Sequence, residues 1–189
     1  SVAGVVRSNL AAFDGLSGQV RSWHPDPPSG SLLPTVRSLT VADETLYVGG
    51  AFAALAGRPR ALIGAFDLRT GALRNWAPDW RGDYVEGLAA LGSRVYVAAQ
   101  LTSPSRNLSA YDAQTGQAVA WFPTIVGAHE LIGQDRTVYC ATEGNGLVAL
   151  DAESGHLAWA YRAPRGVPRN FLVRPPVIFA AGSFQTDAS

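Results

Sequence analysis

Hydrophobic residues in this chain fall in short runs broken by glycine, aspartate and proline, and the runs recur. Leu46-Tyr47-Val48 is a short β-rich run that Gly49-Gly50 is expected to stop, and Ala61 to Phe66 is a second run closed by Asp67-Leu68-Arg69-Thr70-Gly71. Leu73 to Trp76 then leads into Pro78. Aspartate at the start of such a turn accepts backbone N–H bonds, and glycine at its end takes a positive φ, so the segment AFDLRTG predicts a hairpin at which two strands meet. No segment shows the 3.6-residue periodicity of an amphipathic helix.

The same turn appears four times, as AAFDGLSG at 11–18, GAFDLRTG at 64–71, SAYDAQTG at 109–116 and VALDAESG at 148–155. Its aspartates are Asp14, Asp67, Asp112 and Asp151, separated by 53, 45 and 39 residues. A tryptophan follows each turn: Trp23, Trp76 and Trp121 lie nine positions beyond their aspartates, and Trp159 lies eight beyond Asp151. The first three lead into His24-Pro25, Ala77-Pro78 and Phe122-Pro123, whereas the fourth leads into Ala160-Tyr161.

A second family of copies precedes the turns, LYVGG at 46–50, VYVAA at 95–99, VYCAT at 138–142 and IFAAG at 178–182. Eight residues before each central aromatic stands another apolar residue, Leu39, Leu88, Leu131 or Phe171. Each repeat therefore holds four strand-sized pieces, in the first copy an inner strand at 36–41, a buried strand at 45–49, a third at 61–66 and an outer strand at 72–77. Short antiparallel strands at a period of roughly 40–50 residues predict an all-β fold, a β-propeller whose four-stranded blades pack face to face.

The boundaries of the repeats divide 189 residues into an outer half-blade at 1–30, blades at 31–80, 81–125 and 126–165, and an inner half-blade at 166–189. Ser1-Val2-Ala3-Gly4 aligns with Ala54-Leu55-Ala56-Gly57, so the sequence opens inside a repeat, and the run from Phe179 to Phe184, which matches Tyr47 to Phe52, closes inside one. Two arrangements follow. The two half-blades complete a fourth blade in a closed four-bladed ring, or about four blades form part of a ring of six to eight; the second is expected, because four blades are the small limit of closure.

Composition narrows the function classes. At 47% hydrophobic and 16% charged the chain has the balance of a packed domain, and 15 basic against 15 acidic residues leave no net charge to capture nucleic acid or an anionic membrane. Direct membrane insertion is not expected, since no apolar run approaches the roughly 20 residues that span a bilayer. All 15 basic residues are arginine. Cys140 is the single cysteine, so it forms no internal disulfide, and within VYCA it reads as a buried, inert thiol.

At this point the residues carry a resemblance. LYVGG-x-F, then Gly57-Arg58-Pro59-Arg60 and LIGAFDLRTGALRNWAP, are similar to the delta-60 class of bacterial β-propeller repeats, over essentially the whole chain. The third full blade, VYCATEGNGLVALDAESGHLAWAY, is closer to the repeat of pyrroloquinoline-quinone-type propellers. The resemblance implies a bacterial protein that is secreted, periplasmic or on the cell surface. Quinone dehydrogenases of the second group surround a calcium ion with carboxylate and amide ligands, a catalytic aspartate and often a vicinal cysteine pair. One cysteine and no mappable acidic cluster argue against that chemistry here, so no cofactor, metal or catalytic residue is expected.

The repeated residues read as structure. A tryptophan at a fixed place in every blade is an interblade wedge, and one carboxylate per turn falls far short of the six to eight oxygens calcium takes, so Asp14, Asp67, Asp112 and Asp151 cap their turns. Arg7, Arg60 and Arg106 recur before the third strand, where they pair with those carboxylates or rim one face. The three histidines, His24, His129 and His156, stand apart in the sequence and form no nucleophile–base set.

Two stretches remain as candidate binding elements. Asp79 to Glu86 joins an outer strand to the next inner strand and sets Trp80 and Tyr84 among carboxylates that include Asp83 and Glu86; propeller loops of this kind carry recognition. Arg81-Gly82-Asp83 spells an integrin-type tripeptide too short to carry meaning, and Asn107-Leu108-Ser109 is a glycosylation acceptor that a bacterial origin leaves unmodified. His129-Glu130 is a polar pair in an otherwise apolar inner strand, on the expected channel wall. The expected function is a non-catalytic binding or structural module with a protein or carbohydrate partner, joined by further propeller blades or a homo-oligomer. Part of a quinone- or metal-dependent oxidoreductase, or a periplasmic assembly scaffold, are the alternatives.

Overall fold

Each Asp-x-x-Thr/Ser-Gly segment folds as one turn with one set of bonds. In the second copy, Asp67 Oδ1 accepts from Thr70 N at 2.8 Å, Thr70 Oγ1 at 2.9 Å and Arg69 N at 3.1 Å, and Gly71 N donates to Asp67 O at 2.7 Å. Gly71 closes the turn at φ 72°, in the left-handed region that a side chain disfavours. The turns at Asp14, Asp112 and Asp151 repeat the arrangement.

These turns organise an all-β propeller arc, for which the computed structural model describes residues 9–23, 25, 34–79, 82–100, 108–144, 146–162 and 165–185. The first blade holds β1 (Thr35–Ala42), β2 (Thr45–Ala51) and β5 (Ile63–Asp67) in that order, with a small hairpin of β3 (Ala54–Leu55) and β4 (Arg58–Pro59) between β2 and β5. The second holds β6 (Tyr84–Leu91), β7 (Arg94–Gln100), β8 (Leu108–Asp112) and β9 (Ala118–Val119). The third holds β10 (Ala128–Gln134), β11 (Thr137–Thr142), β12 (Gly146–Asp151) and β13 (Leu157–Tyr161). β14 (Arg165–Arg174) and β15 (Val177–Gln185) form a two-stranded sheet, and residues 9–23 supply a turn tied by the bridge Phe13↔Val20.

Two expectations about strand limits need correction. Gly49 and Gly50 do not stop β2, which runs through them; a Cβ on Gly49 would lie 2.5 Å from Val85 Cγ1, so the glycines let neighbouring strands and blades approach. The outer strand expected at 72–77 shrinks to a single bridge, Phe66↔Leu73, and its counterpart β9 has two residues. In both blades the chain leaves the sheet to insert its tryptophan next door, and Pro78 and Pro123 cannot donate to a ladder. The third blade has no such proline, and β13 runs for five residues through Trp159.

Blades pack in one direction. Leu88 of the second blade meets Tyr47 of the first, together with Val85, Val95 and Tyr111; Leu131 of the third enters the corresponding cluster around Tyr96. Trp76 and Trp121 stack edge-on against Tyr47 and Tyr96, at centroid distances of 4.9 Å in both cases. Each indole then donates across the joint, Trp76 Nε1 to Asp112 O at 2.9 Å and Trp121 Nε1 to Asp151 O at 3.2 Å, while Trp23 Nε1 reaches Gly71 O at 3.0 Å. The tyrosines do the same from the inside, Tyr47 to Ala113 O at 2.9 Å and Tyr96 to Ala152 O at 2.7 Å.

Candidate functional site

The inner strands share an irregularity that the repeats position. Register shifts fall between Val36 and Ser38 in β1, Val85 and Gly87 in β6, Ala128 and Glu130 in β10, and Pro168 and Asn170 in β14. The residue skipped each time, Arg37, Glu86, His129 or Arg169, stands two places before Leu39, Leu88, Leu131 or Phe171. A bulge of this kind re-aims one side chain out of the pleat. All four bulged residues line one cavity of about 610 Å³ between the inner strands, with Glu130 and Asn170 beside them.

The charges around this cavity are mixed. Arg37 Nη1 lies 3.9 Å from Glu86 Oε1, and the Arg37 guanidinium sits over the Tyr84 ring at 4.1 Å from its centroid, a cation–π contact. His129 Nε2 stands 2.8 Å from Pro168 O. A carbonyl only accepts, so that nitrogen carries the proton; the buried Nδ1 has no hydrogen-bond partner. Half-burial pushes the Glu130 carboxyl above its ordinary range, and the neighbouring His129 opposes the shift. Arg169 is exposed and makes no ion pair among the described residues.

Elsewhere the expected site residues resolve into separate roles. Asp14, Asp67, Asp112 and Asp151 each spend Oδ1 on their own turns, and those bonds, from Ser17, Thr70, Thr115 and Ser154, hold each carboxyl below its ordinary range. Arg60 does not pair with a carboxylate, because its guanidinium donates to the carbonyls of Pro59 and Arg74, each at 2.8 Å. The arginines that do pair are Arg74, 2.7 Å from Asp67, and Arg21, 2.7 Å from Asp14, each seven residues beyond its aspartate. Cys140 is fully buried and its thiol is pushed upward by desolvation. Among the described residues no group of three or more His, Cys, Asp and Glu is placed to hold a metal ion.

The loop and the channel wall, separate in the sequence reading, meet here. Tyr84 and Glu86 come under Arg37, and Glu86 lines the same cavity as His129 and Glu130. Asp83 is exposed at the bend before β6. Trp80, Arg81, His24, Arg7, Arg106 and Asn107 lie outside the described residues. The sequence reading missed Arg37 and Arg169, although counting two places back from the repeated Leu39 and Phe171 finds both.

A family model described as outer membrane protein assembly factor BamB matches residues 59–183. Among solved structures, the computationally designed Ika4 protein is 14% identical with a TM-score of 0.62, over 84% of this chain and 90% of that one. BamB from Moraxella catarrhalis is 20% identical with a TM-score of 0.58, over 78% of this chain and 44% of that one. The gluconolactonase XC5397 from Xanthomonas campestris is 15% identical with a TM-score of 0.62, over 91% and 61%. These identities carry the propeller fold alone. The chain thus spans less than half the length of the Moraxella protein. No curated protein matches the chain.

Proposed function

The chain belongs to the propeller repeat family described as outer membrane protein assembly factor BamB, and from that premise we propose that it is a non-catalytic binding module of a bacterial secreted, periplasmic or surface protein. Its partner, a protein or carbohydrate, is engaged at the mouth of the central cavity. The observation that carries the reading is the shared bulge, which turns Arg37, Glu86, His129 and Arg169 from the inner strands of four successive sheets toward one space. The turn aspartates and the wedge tryptophans are the same residue in every repeat, whereas these four are two arginines, a glutamate and a histidine, a mixture that suits recognition.

Arrayed peptides and glycans, probed with the wild-type chain and with Arg37→Ser/Arg169→Ser, test the reading. Binding that falls at least tenfold in the variant is the expected result. Equal binding by both chains, or hydrolysis of an aldonolactone by the wild type, overturns it. A second reading, an envelope assembly scaffold, draws support from the family description and from the edge of β15, which pairs with no third strand among the described residues. In that reading the edge takes a client's strand.

A further inference from the structure

Five ionisable side chains line the cavity between the inner strands, Arg37, Glu86, His129, Glu130 and Arg169. Their charges do not cancel. Arg37 and Glu86 answer each other across 3.9 Å, with the Tyr84 ring under the guanidinium. Glu130 is half-buried, and desolvation drives its carboxyl toward the neutral form. His129 spends its Nε2 proton on Pro168 O. Arg169 is left exposed, with no ion pair among the described residues.

The backbone beneath Arg169 is fixed although its side chain is exposed. Pro168 precedes it at the bulge of β14 and receives the His129 bond from β10 at 2.8 Å, so the neighbouring inner strand holds the base of the arginine in place. Asn170 follows it, exposed beside the same cavity with an amide that both donates and accepts. Among the described residues, β1, β6 and β10 pair on one side only and border the cavity, which lends it N–H and C=O groups along three strand edges. One of them, the Leu88 N–H, already donates to Ser38 Oγ at 2.9 Å. A space of about 610 Å³ equipped in this way suits a small polar ligand.

We propose that this ligand carries a single carboxylate, gripped by the planar fork of Arg169 with the Asn170 amide beside it, while its other polar groups bond the strand edges. The inference rests on the reading of the cavity mouth as the binding site and narrows what that site selects. Charge decides among the candidates. A phosphate would set close to two charges against Glu86 and Glu130 with one unpaired guanidinium to answer them, whereas a carboxylate sets one and meets the fork with both oxygens. A neutral ligand covering the mouth would desolvate Arg169 and leave it unanswered. A sugar acid and the chain end of a peptide both present the required group.

NMR titration of the full chain separates these sources, with each acid set against its own amide: D-glucuronate against D-glucuronamide, and N-acetyl-dialanine against its C-terminal amide. One acid binding about tenfold or more tightly than its amide, as a charge-assisted pair is worth, is the expected result. Arg169→Gln, at an exposed position, should bring acid and amide level. The pair that shows the preference identifies the source. No preference in either pair, or a preference that survives Arg169→Gln, overturns the inference. If arrayed peptides or glycans still bind and lose affinity in Arg37→Ser/Arg169→Ser, the cavity mouth stands as the site and the carboxylate alone is wrong; if they do not, both readings fall.

Discussion

Trp121 and Trp159 follow the same turn in successive blades, as Tyr96 and Tyr139 hold the same place on successive strands, yet their surroundings have little in common. Trp121 is 2% exposed and hydrogen-bonded to the next blade's turn; Trp159 is 41% exposed and leans on Tyr139 at 6.2 Å, with no turn beyond it among the described residues. The difference lies in the neighbour rather than in the repeat. A blade specifies its own sheet and turn, but the core of each joint belongs to two blades, as in other repeat architectures.

Removing the wedge should produce the largest contrast. Trp121→Ala is expected to cost about 3–5 kcal/mol of unfolding free energy. Trp159→Ala, measured by urea unfolding, should cost less than about 1 kcal/mol. Equal losses would contradict the asymmetry. Next come the glycines that end the turns. Both Gly18 and Gly71 have positive φ, but a Cβ on Gly71 would lie 2.6 Å from Trp23 Cδ1, and one on Gly18 would meet nothing within 4 Å. Gly18→Ala should cost about 1–2 kcal/mol, the backbone strain alone, and Gly71→Ala distinctly more because the indole must move.

Smaller effects sharpen the same contrast. Tyr96→Phe removes a buried hydroxyl that donates to Ala152 O, and the expected cost is about 1 kcal/mol, since Arg94 also donates to that carbonyl. Tyr139→Phe should fall within about 0.5 kcal/mol of wild type. The smallest effect is that of acid. The turn carboxylates are held below their ordinary value of 3.8, so their stabilisation is complete above that pH and drains away as pH falls toward the depressed folded values. Urea midpoints taken from pH 6 down to 2.5 should drop through this window, and Asp151→Asn should flatten part of the drop.

Turns and central strands were legible because their signals are local. Asp67, Thr70 and Gly71 bond within five residues, and the short apolar run about Tyr47 reads as a central strand buried on both faces. The outer strand at 72–77 was misread because its fate is set by a neighbouring blade into which Trp76 inserts. Gly49 was misread for the same reason, a close approach to Val85 across a joint, and Gly50 because the Thr35 carbonyl of the neighbouring strand approaches it, and no local pattern records either. At the candidate site, His129 and Glu130 stood out as polar residues in an apolar strand. Arg37 and Arg169 stood out only once the four bulges were superposed, because a bulge breaks the alternation that sequence reading relies on.

Hydrogen exchange of the indole Nε1 protons, followed by NMR on the dilute chain, reads the joints directly. Trp76 and Trp121, bonded to Asp112 O and Asp151 O, should exchange orders of magnitude more slowly than Trp159, whose indole has no such bond among the described residues. Equal protection of all three indoles would contradict the account, since Trp159 would then be held as firmly as the two that are bonded across a joint.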